Sequence, residues 1–117
     1  MKTIIAGSRG INNYQIVLDA VRLCGWPVTS VLSGLARGVD QLGERYAEDH
    51  GLEVMFYPAD WATHGKSAGP IRNIEMAESA EALIAIWDGT SKGTAHMIET
   101  AKQKGLRVYV HKIGVVA

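Results

Sequence analysis

The chain has 117 residues, of which 47% are hydrophobic and 21% are charged, with 12 basic and 12 acidic side chains. This is the composition of an ordinary globular protein and excludes a disordered one, and the length suffices for one domain, expected to span residues 1–117. The net charge of zero disfavours a protein that coats nucleic acid through a basic surface.

The predicted elements alternate between strands and helices along the whole chain. In order they are strand 2–6, helix 13–24, strand 28–33, helix 38–50, strand 52–57, a long unstructured loop, helix 70–80, strand 82–87, helix 92–104 and strand 106–111. The strands are continuous apolar runs, which are typical of strands buried on both faces of a parallel sheet. The pattern predicts an α/β fold with a doubly wound five-stranded parallel sheet in the order 3-2-1-4-5.

The cysteine, the apolar stretches and the histidines bear on where the protein is found and whether it binds a metal. The single cysteine, Cys24, excludes an internal disulfide and indicates a reducing compartment. The apolar run before Gly7 is too short for a signal peptide, and no stretch approaches the roughly 20 apolar residues of a membrane span. We therefore expect a cytoplasmic protein without membrane contact. The four histidines show no metal-ligand spacing, so no metal and no cofactor are expected.

Glycines and cations concentrate in the loops that follow the strands, where a doubly wound sheet binds its ligands. Eight of the 13 glycines fall there. Five of the 12 cations do so as well, namely Arg9, Arg37, Lys66, Arg72 and Lys92. In a neutral protein this concentration favours an anionic ligand, and the helix N-termini at the same edge favour phosphate.

The first two loops each leave two interpretations open. Residues 7–10 form either a tight turn or a phosphate contact. In residues 33–40, Gly34 and Gly38 would let the backbone approach a ligand, while Asp40 either caps the following helix or holds a ribose hydroxyl.

The third loop, after strand 52–57, is long enough to suggest a function. Trp61 either stacks on a base or packs the loop against the protein. Asp60, just before it, joins the candidate ligand-binding residues. Pro70 fits the first turn of the next helix, which directs Arg72 and Asn73 toward the ligand edge.

The fourth loop, residues 88–94, surrounds one helix N-terminus with hydroxyl groups. It contains Asp88, Gly89, Ser91, Gly93 and Thr94. Such a loop is either a phosphate cradle or a hydroxyl-rich capped turn.

Five motifs in order resemble the SLOG superfamily, and within it the YspA-like branch of bacterial and phage proteins. The motifs are Gly7-Ser8-Arg9, Ser33-Gly34-x-Ala36-x-Gly38-x-Asp40, Ala59-Asp60-Trp61, Gly69-Pro70-x-Arg72-Asn73-x-x-Met76 and Asp88-Gly89-x-Ser91-x-Gly93-Thr94. The resemblance spans about residues 3–111. It implies a Rossmann-like fold that binds nucleotides or nucleotide-derived ligands, in a protein that forms a homo-oligomer.

Relatives within the superfamily suggest three functions. The leading expectation is a protein that binds a nucleotide-like small molecule as a sensor, carrier or sequestering protein. The second expectation, from a resemblance to lonely-guy phosphoribohydrolases, is release of the base from a nucleoside 5′-monophosphate, and it implies Arg72 as a phosphate-binding or catalytic residue. Asn73 stands where those enzymes have lysine, and Met97 stands where they have glutamate. Asp88, Glu75, Asp60 and Glu99 are the acids that could replace that glutamate.

The third expectation, from similarity to DprA/Smf proteins, is single-stranded DNA binding, which the net charge disfavours. Whether the protein is an enzyme stays open, with Arg72 and Asp88 as the candidate catalytic pair. The candidate ligand-binding residues are Gly7, Ser8, Arg9, Ser33, Gly34, Gly38, Asp40, Asp60, Trp61, Arg72, Asn73, Gly89, Ser91, Gly93 and Thr94.

Overall fold

A computed structural model describes residues 1–114, and residues 115–117 at the end of the expected domain lie outside the described part. The strands are β1 (Lys2–Gly7), β2 (Ser30–Ser33), β3 (Glu53–Phe56), β4 (Ala82–Trp87) and β5 (Arg107–Lys112). The helices are α1 (Tyr14–Leu23), α2 (Val39–Asp49), α3 (Trp61–His64), α4 (Ala68–Ser79) and α5 (Lys92–Gln103). The predicted alternation of strands and helices is confirmed.

The five strands form one parallel sheet in the order β3-β2-β1-β4-β5. The predicted Rossmann-like order 3-2-1-4-5 is therefore confirmed. Strand β1 lies at the centre, where Ile4 is paired with Leu32 of β2 on one side and with Leu83 of β4 on the other.

Two apolar cores cover the two faces of the sheet. Ile5 and Ile84 pack with residues of α1 and α2, whereas Ile4 and Leu83 pack with residues of α4 and α5. Successive side chains of a strand point to opposite faces, so the continuous apolar runs fill both cores at once. All four of these side chains are fully buried.

The segment after β3 is not the unstructured loop that the sequence predicted. Asp60 accepts a hydrogen bond from the Thr63 backbone N–H at 3.1 Å, and this N-cap starts the short helix α3. A 3₁₀ turn over Gly65–Ser67 leads directly into α4. Pro70 lies in the first turn of α4, as predicted. Within residues 1–114, no helix is long and apolar enough to cross a membrane.

Candidate functional site

A cavity opens where the carboxyl ends of β1 and β4 meet, between the loops that lead to opposite faces of the sheet. This is the topological switch point of the fold, because β1 continues to α1 on one face and β4 continues to α5 on the other. Ligands of open α/β sheets bind at such a point. The cavity has a volume of about 620 Å³, within the range of small-molecule sites.

All four predicted loops contribute to this cavity. The predicted residues that line it are Gly7, Ser8, Arg9, Asp40, Trp61, Arg72, Asn73, Asp88, Ser91, Gly93 and Thr94. Other predicted residues lie outside its lining, namely Ser33, Gly34, Gly38, Asp60 and Gly89. Of the five cations predicted at this edge, Arg9, Arg72 and Lys92 line the cavity.

Arg72 is held in a fixed position by two hydrogen bonds. Its Nη1 donates to the carbonyl oxygen of Gly34, and its Nε donates to Oδ1 of Asn73 at 3.0 Å. Burial lowers the pKa of the guanidinium, and the negative charge of Asp40 opposes that effect. Arg72 remains a cation at neutral pH, and its orientation is set before any ligand arrives.

Asp40 does not cap α2, contrary to one of the two predictions made for it. The N-cap of α2 is Gly38, and Asp40 is the second residue of the helix. Its side chain instead turns back to the loop, where Oδ2 accepts the backbone N–H of Ala36 at 3.3 Å. Burial raises the pKa of Asp40 to about 6, against the lowering effects of the Ala36 hydrogen bond and the charge of Arg72. Asp40 is 4% exposed.

Gly34 and Gly38 make room for groups of the protein itself. A Cβ atom on Gly34 would lie 2.5 Å from Nη1 of Arg72 and 2.9 Å from Oδ2 of Asp40. Gly38 has a φ of +74°, and a Cβ atom there would lie 2.5 Å from the Arg9 carbonyl oxygen. The two glycines therefore let the β2–α2 loop pack closely on the side chains and backbone of the cavity wall.

In the β4–α5 loop, Asp88 holds the turn that precedes α5. Oδ1 of Asp88 accepts the backbone N–H groups of Thr90 and Ser91, each at 2.8 Å. These hydrogen bonds lower the pKa of Asp88. The Ser91 hydroxyl lies 3.2 Å from the Thr94 hydroxyl and makes no side-chain cap of α5. The N–H groups of the first turn of α5 have no partner within the helix, so they are available to an anion in the cavity.

His96 also lines the cavity, and sequence reasoning missed it, since it considered the histidines only as metal ligands. Nδ2 of Asn73 lies 3.1 Å from Nδ1 of His96. Oδ1 of Asn73 is taken by the Arg72 donor, so the amide nitrogen faces His96 and donates to it. This fixes Nδ1 as the acceptor and Nε2 as the protonated nitrogen. The one available signal was its position two residues after Thr94, in the first turns of α5.

Apolar side chains close the bottom of the cavity. Met76 and Met97 both line it and are both 1% exposed. Of the four acids that could replace the hydrolase glutamate, Asp88 lines the cavity, whereas Glu75 and Glu99 are exposed and Asp60 caps α3.

Trp61 lies at the rim of the cavity. Both predicted roles, stacking on a base and packing the loop, stay predictions, and the packing is partial, because 53% of the residue is exposed. Trp61 is the first residue of α3, which has no buried residue, so the ring stays at the surface. Its end faces Gly69, whose hypothetical Cβ would lie 3.6 Å from Cη2 of the ring.

Comparisons with known proteins agree with this fold and with the motif resemblance. The chain is 35% identical over 116 residues to the Gene 61 protein of Mycobacterium phage D29, covering 92% of this chain and 93% of the phage protein. It also matches the X-ray structure of DNA processing protein A (DprA) from Streptococcus pneumoniae with a TM-score of 0.75 and 18% identity. That match covers 93% of this chain and 49% of the DprA chain, so this chain spans about half the length of DprA, and the likeness shows the fold alone. Residues 1–64 match the model of the YspA, cpYpsA-related SLOG family. The predicted SLOG resemblance is confirmed, and the chain belongs to the YspA, cpYpsA-related SLOG family.

Proposed function

We propose that this protein binds a nucleotide or a nucleotide-derived phosphate ligand in the cavity between β1 and β4. One observation carries the proposal: at the switch point of the sheet, the preset Arg72 and the first turn of α5 line the same cavity of about 620 Å³. Family membership and the DprA-like fold support a nucleotide- or DNA-related function. The more specific role, as a sensor, carrier or sequestering protein, is part of this proposal.

The polar wall of the cavity suits a phosphate group. The N-terminal turn of α5 presents backbone N–H groups and the positive end of the helix dipole. Arg72 supplies a charged fork for phosphate oxygens, and the exposed Arg9 and Lys92 add positive charge at the rim. A phosphate between Arg72 and Gly93 would thus meet cations and N–H donors together.

The apolar bottom suits the rest of a nucleotide. Met76 and Met97 offer flexible, polarisable surfaces for a sugar or a base. His96, oriented by its contact with Asn73, adds one fixed polar group beside them. The mixture of apolar walls and a few oriented polar groups is typical of small-molecule sites.

A phosphoribohydrolase that releases the base from a nucleoside 5′-monophosphate is the second candidate. It is favoured by two acids in the same cavity, Asp88 and the buried Asp40, whose pKa is raised to about 6. Glycosidic cleavage requires a carboxylate near the scissile bond. If this candidate is right, Asp88→Asn and Arg72→Ala each abolish the release of free base.

The test is calorimetric titration of the four nucleoside 5′-monophosphates, with chromatography of the recovered ligand. We expect at least one monophosphate to bind the wild-type chain and to be recovered intact, and Arg72→Ala to weaken it about tenfold or more. Lys66→Ala is the matched control, because Lys66 is an exposed cation of the same segment that does not line the cavity. Binding that is equal in Arg72→Ala and wild type would contradict the proposal, and free base would select the hydrolase. Light scattering after size-exclusion chromatography tests the expected homo-oligomer.

A further inference from the structure

A second depression, of about 780 Å³, adjoins the cavity on the side of the β2–α2 loop. Arg37, Leu35 and Pro58 line this depression and do not line the cavity. Arg9 and Trp61 line both spaces. The two spaces therefore share one boundary, and a ligand that fills the first can continue into the second past Arg9 and Trp61.

The charge of the second depression is purely positive. Among the described residues that line it are two arginines, Arg9 and Arg37, and no acid. Both arginines are exposed. The cavity, by contrast, balances its cations against Asp40 and Asp88. In a chain of zero net charge, two exposed arginines without an acid beside them favour an anionic group.

Large apolar side chains lie exposed beside these arginines. Trp61 is 53% exposed and Leu35 is 44% exposed. Leu35 has a φ of +63°, which non-glycine residues rarely adopt and which is concentrated at functional sites. Its backbone N–H donates to Oγ of Ser33 at 3.1 Å, which helps to hold the loop in this shape. An exposed aromatic ring next to arginines is the arrangement on which nucleobases stack.

Resting on the proposed nucleotide function, we propose that the ligand consists of two nucleotide units joined through phosphate. One unit occupies the cavity, with its phosphate at Arg72 and the first turn of α5. The second unit lies over the second depression, with its base on Trp61. Its phosphate is the one that links the two units, and it lies between Arg9 at the boundary and Arg37 in the second depression.

A short ligand fits better than an extended nucleic acid strand. The next cation along the α3 segment, Lys66, lines neither space, so the basic lining stops near Trp61. A protein that holds a longer strand presents a continuous positively charged groove along the backbone. Two nucleotide units account for Arg9, Arg37, Arg72 and Lys92 without such a groove.

The test compares the four nucleoside 5′-monophosphates with the matching dinucleotides pApA, pCpC, pGpG and pUpU by calorimetric titration. We expect one dinucleotide to bind the wild-type chain about tenfold or more tightly than its monophosphate. Arg37→Ala should remove most of that gain and leave the affinity for the monophosphate unchanged, because Arg37 lines only the second depression and not the cavity. Lys66→Ala, the charge-matched control, should retain the full gain.

The outcomes separate this inference from the proposed function. If a monophosphate binds and its dinucleotide binds no more tightly, the two-unit ligand is refuted and the proposed function stands. The same holds if Arg37→Ala weakens both ligands equally, or if Lys66→Ala removes the gain as fully as Arg37→Ala. If no monophosphate and no dinucleotide binds, both proposals fail. A single-stranded oligonucleotide whose affinity keeps rising with length beyond two units would replace the dinucleotide with a DNA or RNA strand.

Discussion

The buried Asp40 makes the stability of the protein depend on pH in a direction opposite to that of most carboxylates. Its pKa is raised from 3.8 to about 6 in the folded chain, mainly by burial. The folded state therefore binds a proton at Asp40 more readily than the unfolded state. This contribution to stability is fully present below pH 3.8 and is lost as the pH rises through about 6. Asp40→Asn, which cannot ionise, removes it.

The size of the effect follows from the pKa values. A rise from 3.8 to about 6 corresponds to about 3 kcal/mol of unfolding free energy. We expect the wild-type chain to lose about 2.4 kcal/mol more than Asp40→Asn between pH 4 and pH 7.5, because the unfolded-state aspartate is already partly ionised at pH 4. Taking the difference between the two chains cancels the contributions of the groups that they share.

The measurement is urea denaturation of both chains at several pH values across this range. Asp60→Asn is a suitable control, because the pKa of Asp60 is lowered by its cap hydrogen bonds to Thr63. The stability that Asp60 contributes is present above 3.8 and is lost only as the pH falls below it, so this variant should parallel the wild type from pH 4 to 7.5. Parallel curves for wild type and Asp40→Asn would refute the assignment of Asp40 as a buried, destabilised carboxylate.

Three further substitutions test the packing around the cavity. Gly34→Ala should displace the Arg72 guanidinium and weaken monophosphate binding about tenfold in calorimetry. It should also lower the melting temperature, because the added Cβ would lie 2.9 Å from Oδ2 of the buried Asp40. Unchanged affinity would contradict the close approach. Gly38→Ala should lower the unfolding free energy, measured in urea, by about 3 kcal/mol, because it adds a backbone clash to a positive φ. Gly25 has a positive φ but lies in open space, so Gly25→Ala should lower it by about 1 kcal/mol. Equal losses of unfolding free energy in the two variants would show that the backbone clash at residue 38 is relieved. Trp61→Ala should leave the melting temperature nearly unchanged, because the residue is 53% exposed, but it should weaken the binding of the dinucleotide. A large fall in melting temperature would instead assign Trp61 a packing role.

The sheet could be predicted from the sequence because burial on both faces leaves a direct signal. Residues 82–87 are entirely apolar and belong to both cores. Helical patterns separate such runs, and right-handed crossovers then restrict the strand order. The predicted bounds differ from the observed ones by one or two residues at most positions, since the ends of elements depend on local caps.

The short helix α3 left no comparable signal. It has four residues and no buried side chain, so it is too short to show an apolar period. It is held by the side-chain cap from the Thr63 N–H to Asp60 and by two backbone hydrogen bonds, from His64 to Asp60 and from Gly65 to Trp61. Aspartate before a polar segment is equally typical of a loop, and the sequence could not separate the two.

The roles of Asp40 and His96 depend on contacts that no sequence pattern indicates. Aspartate near a helix start predicts a cap, but the positive φ at Gly38 places Asp40 inside the helix and turns its carboxylate to Ala36. His96 is defined by its contact with Asn73, 23 residues away on another helix. Neither a local sequence pattern nor a spacing rule could have indicated the contact between His96 and Asn73.

Asn73 shows how one residue type organises the polar wall. A lysine here, as in the hydrolases that the sequence resembles, would carry donors alone and could not accept the Nε hydrogen of Arg72. The amide accepts from Arg72 with its oxygen and donates to His96 with its nitrogen. With asparagine in place of lysine, the cavity wall lacks a second cation but gains a group that orients both Arg72 and His96. Arg72 is then the one half-buried cation among the described residues that line the cavity, whereas Arg9 and Lys92 are exposed at its rim. The rim cations therefore matter most for a ligand that carries more than one phosphate.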